Sequence, residues 1–165
     1  MSEQVETFAP AASFDPEKFL LVDPMTFHDL KVGQVYRAPS RTITAAHVAA
    51  FQTISLDNHP RHFNEEYAQA HKLQGMLVHP LQVLSFAALG ATLLTHYIGE
   101  VLISFTDVSA TFHRDSFIGD TIYSALSINR TTESDGKGHV LVGITMHNQR
   151  GELVVTGTQT LLLKL

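Results

Sequence analysis

No cysteine occurs in the 165 residues. That absence excludes disulfides, thiolate nucleophiles, cysteine-ligated zinc and iron–sulfur clusters, and it leaves the redox compartment open. Charge is scarce as well. Charged residues make up 16% of the chain, below the roughly 25% usual in soluble domains. Basic residues are the scarcer sign, 11 Lys and Arg against 16 Asp and Glu, for a net charge of −5. A mildly acidic chain suits a phosphate backbone poorly, so no nucleic-acid partner is expected. The opening residues carry Glu3 and Glu6 without a basic residue, and no apolar core of signal-peptide length follows. The apolar stretch 76–94 is interrupted by His79, Pro80, Gln82, Ser85 and Thr92. It reads as a buried helix and not as a membrane span. A cytoplasmic location without a membrane partner is the expectation. No internal repeat or low-complexity tract is present.

What is there is an ordinary single domain's worth of apolar residues, 44% of the chain. That length buries a core without a metal or disulfide staple. Few charges at this size suggest that a second subunit covers part of the surface. Histidine is abundant: ten, nearly matching the 11 lysines and arginines together. It is the side chain most used for proton transfer near neutral pH.

Pro10, Pro16 and Pro24 mark residues 1–26 as an irregular lead-in. Residues 27–165 form the domain. A strand with a kink at Pro39 is expected over 33–42. Thr44 is a good N-cap for a helix through Ala45, Val48 and Phe51, ending near Ser55. A polar loop, 56–62, follows, with Pro60 biasing His59 away from helix. Asn64 caps a short helix over 65–70. Pro80 suits the first turn of a long helix running to about Tyr97, with Gly99 placed to stop it. Its apolar residues recur nearly all round, so it should be buried on most sides. After it the period becomes two. Val108, Ala110 and Phe112 alternate with polar residues, as do Val140, Val142, Ile144 and Met146, and then Leu153 to Leu161. A strand over 121–130 lies between them, with turns at 136–138 and 149–151. One long buried helix followed by about four antiparallel strands is an α+β solution with one core.

Asp57, His59 and His62 fall in the polar loop. A carboxylate and an imidazole held close can grip one water from two sides, the carboxylate orienting it and the imidazole taking or giving its proton. Pro60 restrains the loop and limits the entropy lost in placing both groups. A zinc site built on the same three residues is the rival reading. The spacing straddles Pro60 and no matching ligand pair stands on a neighbouring element, so no metal is expected.

The segment Leu56-Asp57-Asn58-His59-Pro60-Arg61-His62-Phe63-Asn64-Glu65-Glu66-Tyr67-Ala68 resembles the hydratase signature of the MaoC-like dehydratases, which include R-specific enoyl-CoA hydratases and share the hotdog fold. Three further segments fit the family's order. They are Leu77-Val78-His79 before the helix, Phe112 through Gly119-Asp120-Thr121, and Asn148-Gln149-Arg150-Gly151 through Gly157. Together they cover about residues 33–165. The resemblance implies a hotdog domain with a long central helix wrapped by a curved antiparallel sheet. It implies Asp57 and His62 as the catalytic pair, and reversible addition of water to a trans-2-enoyl-CoA to give a 3-hydroxyacyl-CoA. It also implies a homodimer or dimer of dimers, with an acyl-CoA as substrate and no cofactor.

Three positions depart from the family pattern. Leu56 replaces the usual Gly before the Asp, and Asp115 a usual Pro. Pro80 replaces the Gly whose backbone N–H meets the thioester oxygen, and proline has no N–H to give. Either the Leu81 N–H takes over with a small shift, or the pattern has lost one residue, or the contact weakens. His79-Pro80-Leu81 also resembles a subgroup acting on branched dicarboxylic acyl-CoAs of the methylmalyl/mesaconyl type. His59 orients the loop or the substrate. His79 lines the pocket near the thioester or caps the helix. Arg61 meets a CoA phosphate or a substrate carboxylate, or is only solvated. A thioesterase and a non-catalytic acyl-thioester binder are the functional alternatives, since fold alone does not decide chemistry.

Overall fold

In the last third of the chain, apolar side chains at every second position force strands to share one buried face. The computed structural model describes residues 19–165. The expectation for 1–18 lies outside the described residues, and residues 19–26 carry neither helix nor strand. The elements in order are β1 (Val35–Arg37), β2 (Arg41–Thr42), α1 (Ala45–Ser55), α2 (Glu65–Ala70), α3 (Pro80–Ser85), α4 (Leu94–Ile98), β3 (Leu102–Phe112), β4 (Thr121–Ser134), β5 (Lys137–Asn148) and β6 (Leu153–Leu163). The strands make one antiparallel sheet in the order β1-β4-β5-β6-β3, with β2 also on β4.

Register puts core residues opposite one another: Leu126 against Ile144, Ile128 against Val142, Val140 against Leu161, Met146 against Val155. All eight are at most 1% exposed. Each such side chain contributes about 1.5–3 kcal/mol on burial. Val83, Ala87, Leu94 and Ile98 from the helical segment complete the same core. Register shifts between Ile128 and Arg130 and along β3 bend the sheet around it. The architecture is the α+β fold that the strand pattern foretold.

Two local expectations change. The single long helix is three pieces: α3, a 3-10 turn over Leu89–Ala91, and α4. Side-chain hydroxyls compete for the backbone here. Ser85 Oγ donates to the Gln82 carbonyl at 2.6 Å. Thr92 Oγ1 donates to the Leu89 carbonyl and accepts the Leu94 N–H, both at 3.2 Å. Ala88 turns extended, with ψ 145°. The β4–β5 turn also moves. It is Asp135-Gly136, with φ 53° and 70°, so β4 continues to Ser134, which pairs with Lys137. Two positive φ angles fit a tight two-residue hairpin that Asp-Gly adopts readily.

The two sheet edges differ. One is formed by the short β1 and β2. The other is β3, whose Ile103, Phe105, Val108 and Phe112 are 41–47% exposed. Among the described residues no helix is long and apolar enough to cross a membrane.

Candidate active site

Thr44 caps α1 by accepting the His47 N–H, and α1 runs to Ser55. Leu56 ends it in the left-handed region, φ 58° and ψ 18°. That turn reverses the chain into the loop bearing Asp57. Pro60–His62 then form a 3-10 turn, and Asn64 caps α2 through the Tyr67 N–H. Segment 77–79 threads past this loop. Leu77 N–H donates to the Arg61 carbonyl at 2.9 Å, and Val78 N–H to the Ser116 carbonyl at 2.8 Å. This threading delivers His79 to Asp57.

Three side chains meet. Asp57 Oδ2 lies 3.7 Å from His62 Nε2 and 3.2 Å from His79 Nε2. The imidazoles of His62 and His79 are 5.3 Å apart between centroids, and Phe51 from α1 packs on His79 at 5.1 Å. His62 is buried, while Asp57 and His79 are half-buried.

Hydrogen bonds assign the tautomers. His62 Nδ1 is 2.7 Å from the Leu77 carbonyl, which can only accept. So Nδ1 carries hydrogen, and a neutral His62 presents its Nε2 lone pair to Asp57. His79 is the reverse. Its Nδ1 accepts the Leu81 N–H at 3.1 Å, so a neutral His79 carries its hydrogen on Nε2, 3.2 Å from Asp57 Oδ2 but out of line for a hydrogen bond to it. Asp57 Oδ1 accepts the His59 N–H at 2.9 Å. That backbone bond is the chief reason the Asp57 carboxyl is held below its ordinary value, with the nearby His62, His79 and His59 adding to it against partial desolvation.

Asp57 and His62 come together as expected. His59 orients the loop: its backbone N–H fixes Asp57, its Nδ1 accepts the Arg61 N–H, and its ring packs edge-on against Tyr67. Arg61 is exposed, and its carbonyl anchors Leu77. His79 does cap α3, through the Leu81 N–H. That contact corrects the expectation for Leu81, whose N–H is taken by His79. The Gln82 and Val83 N–H groups both donate to the His79 carbonyl, and Pro80 has none. The first turn of α3 therefore holds its donors to itself. The pairing of His79 with Asp57 was not foreseen. Its only sequence signal is a histidine standing before a proline at a helix start.

Asp57, His62 and His79 could hold a metal by distance alone, since their ligand atoms lie within 4.8 Å of one another. A ligating histidine needs a free lone pair on one nitrogen and a hydrogen on the other, donated to an acceptor. His62 meets that condition. His79, bonded as it is to the Leu81 N–H, does not.

The other matched segments serve the fold. Asp120 accepts the Phe117 N–H, Gln149 Nε2 and Arg150, and Glu152 accepts from Asn148 and Arg150. These bonds clasp the β5–β6 turn to the start of β4. A cleft of about 220 Å³, lined in part by Val78, Pro80, Val83 and Phe112, begins just past His79.

Residues 29–149 match the model of the MaoC-like domain. The chain belongs to that family. An (R)-specific enoyl-CoA hydratase from Rhodospirillum rubrum is 30% identical over 102 residues, covering 62% of this chain and 68% of the relative. A monoamine oxidase regulatory protein from Archaeoglobus superposes with a TM-score of 0.81 at 27% identity, over 89% of this chain and 99% of that one. An (R)-hydratase from A. caviae involved in PHA biosynthesis gives 0.68 at 27% identity, over 83% and 98%. A Mycobacterium tuberculosis protein with a double hotdog fold gives 0.72 at 23% identity, over 86% and 44%. The MaoC-like chain is thus a hotdog protein, in a hydratase family.

Proposed function

We propose that this chain adds water reversibly to a trans-2-enoyl-CoA to give a 3-hydroxyacyl-CoA, without a cofactor. The observation that carries the reading is the 3.7 Å gap between two acceptors, His62 Nε2 and Asp57 Oδ2. Two acceptors at that distance call for a shared donor, and a water within ordinary hydrogen-bond length of both meets the need. Its lone pairs then face outward. The water oxygen bonds to C3 as one O–H bond breaks, and His62 takes that proton. The C2–C3 double bond shifts its pair toward the thioester, and the His62 imidazolium gives the proton it took to C2, restoring neutral His62. Asp57, held anionic chiefly by the His59 N–H, stabilises the imidazolium in between.

The second reading, a non-catalytic acyl-thioester binder, is favoured by the first turn of α3, whose N–H groups are engaged within the chain. Branched dicarboxylic acyl-CoAs remain the alternative substrate class. A homodimer, or a dimer of dimers, fits the exposed apolar edge of β3, since such an edge is a liability unless covered.

Incubation with trans-2-enoyl-CoAs of short, long and branched chains tests the reading, following enone absorbance and free thiol together. Enone loss without thiol is expected. Thiol release would make the protein a thioesterase, and binding without either change would leave the second reading.

A further inference from the structure

We infer that the chain carries a subsite for the nucleotide phosphates of coenzyme A, in a cleft beside the active site where Lys72 and Arg114 hold donors in reserve. The inference rests on the hydratase reading for the thioester that it serves. Its binding test does not need the reaction.

A cleft of about 670 Å³ adjoins the one of about 220 Å³ that begins past His79, and His113, Arg114 and Asp115 line both. The smaller has an apolar wall in Val78 and Val83. The larger is lined by three cations, Lys72, Arg114 and Arg150, with Asp115 and Glu152 as its acids. In a chain with 11 Lys and Arg against 16 Asp and Glu, a cleft where cations outnumber acids runs against the composition.

The three cations are not alike. Arg150 is engaged: its Nε donates to Glu152 Oε2 at 2.7 Å and its Nη1 to Asp120 Oδ1 at 3.3 Å. Arg114 is not. Its Nη1 stands 3.8 Å from Glu152 Oε1, too long for a hydrogen bond, and its side chain is 55% exposed. Glu152 attracts the guanidinium without using its N–H donors. The Lys72 ammonium has no ion pair or hydrogen bond among the described residues.

A fork of donors beside a point charge suits phosphate. Coenzyme A carries a diphosphate and a 3′-phosphate at the end of a pantetheine arm, so its charge binds at one remove from its thioester. The adjoining clefts supply that separation, with the thioester end in the smaller and the phosphates in the larger. Asp115, common to both, can accept from the amide N–H groups of the arm. A volume in this range is usual for small-ligand pockets. Arg61, expected to meet a phosphate, does not line this cleft.

The plain alternative is that Lys72 and Arg114 are solvated surface cations. Titration calorimetry of the intact protein with free coenzyme A and with pantetheine separates the two. Coenzyme A should bind more tightly than pantetheine, by a margin that shrinks as salt is raised. Lys72→Ala and Arg114→Ala should each weaken coenzyme A about tenfold and leave pantetheine unmoved. Lys137→Ala, which removes the same charge from the start of β5, should change neither. In steady-state kinetics, the kcat/KM preference for an enoyl-CoA over the matching enoyl-pantetheine thioester should fall about tenfold in both cleft variants. Coenzyme A bound no better than pantetheine, or equally well by the parent and both variants, would overturn the subsite whether or not an enoyl-CoA is hydrated. If the binding differences hold but no enoyl-CoA is hydrated, the subsite stands and the hydratase reading falls.

Discussion

His79 Nε2 stands 3.2 Å from Asp57 Oδ2, and His62 Nε2 3.7 Å from the same oxygen. The other oxygen accepts the His59 N–H at 2.9 Å. Asn keeps an oxygen for that bond but brings no negative charge to stabilise an imidazolium. Asp57→Asn is therefore expected to lower hydration kcat roughly 10²–10⁴-fold with the fold kept. His62→Ala should do the same. Steady-state kinetics with circular dichroism checks both, and near-full activity in either would remove that residue from the pair.

Leu56 sits at φ 58° and is 76% exposed. A Cβ in the left-handed region costs about 1–2 kcal/mol. Glycine escapes that cost but loses about 0.4–1 kcal/mol through its freer unfolded chain. Leu56→Gly should accordingly be as stable as the parent or slightly more so. Leu56→Ala discards the same side chain and keeps the strain, so it should fall below Leu56→Gly in urea denaturation. Equal midpoints for the two would mean that the backbone here is unstrained.

Among the described residues three carboxyls are held below their ordinary values. Asp29 is lowered by the Thr26 hydroxyl and N–H, Asp57 chiefly by the His59 N–H, and Glu152 by Asn148 and then Arg150. A depressed folded value means the unfolded chain binds more protons as acid is added. Their stabilisation is complete above the ordinary values of 3.8 and 4.5, and it is lost as pH falls through the lower folded ones. Their contribution to the thermal midpoint should be flat above about pH 5 and fall below it. Glu152→Gln should shallow that drop.

The β3 edge predicts an oligomer contact. Phe105→Lys and Val108→Lys each put a charge on an exposed apolar position. Light scattering should show a two-chain mass for the parent and a mass nearer one chain for each variant, with the far-ultraviolet spectrum kept. Unchanged mass in both would place the interface elsewhere.

Much of this was legible beforehand. Thr44 and Asn64 announce their helices because an N-cap oxygen meets an orphan N–H locally, and both helices begin where those residues say. The strands follow from alternation, a local property too. Asp57 and His62 were visible because they share one short loop. The His79 contact was not, because it depends on segment 77–79 being threaded between Arg61 and Ser116 by long-range hydrogen bonds. The broken helix was hidden for another reason. Ser85 and Thr92 count as tolerable helix residues one by one, and only their hydroxyl bonds to nearby backbone show them as breaks.

The unequal edges of the sheet set a limit on assembly. β1 and β2 are three and two residues long, with Pro39 between them, whereas β3 offers eleven. Further strands can therefore be added from one side only. When two copies meet through β3, each consumes the other's available edge, and the strands left outermost are short and interrupted by a proline. Such a pair would stop edge addition at two, and would close the exposed apolar border against fibre formation by covering it.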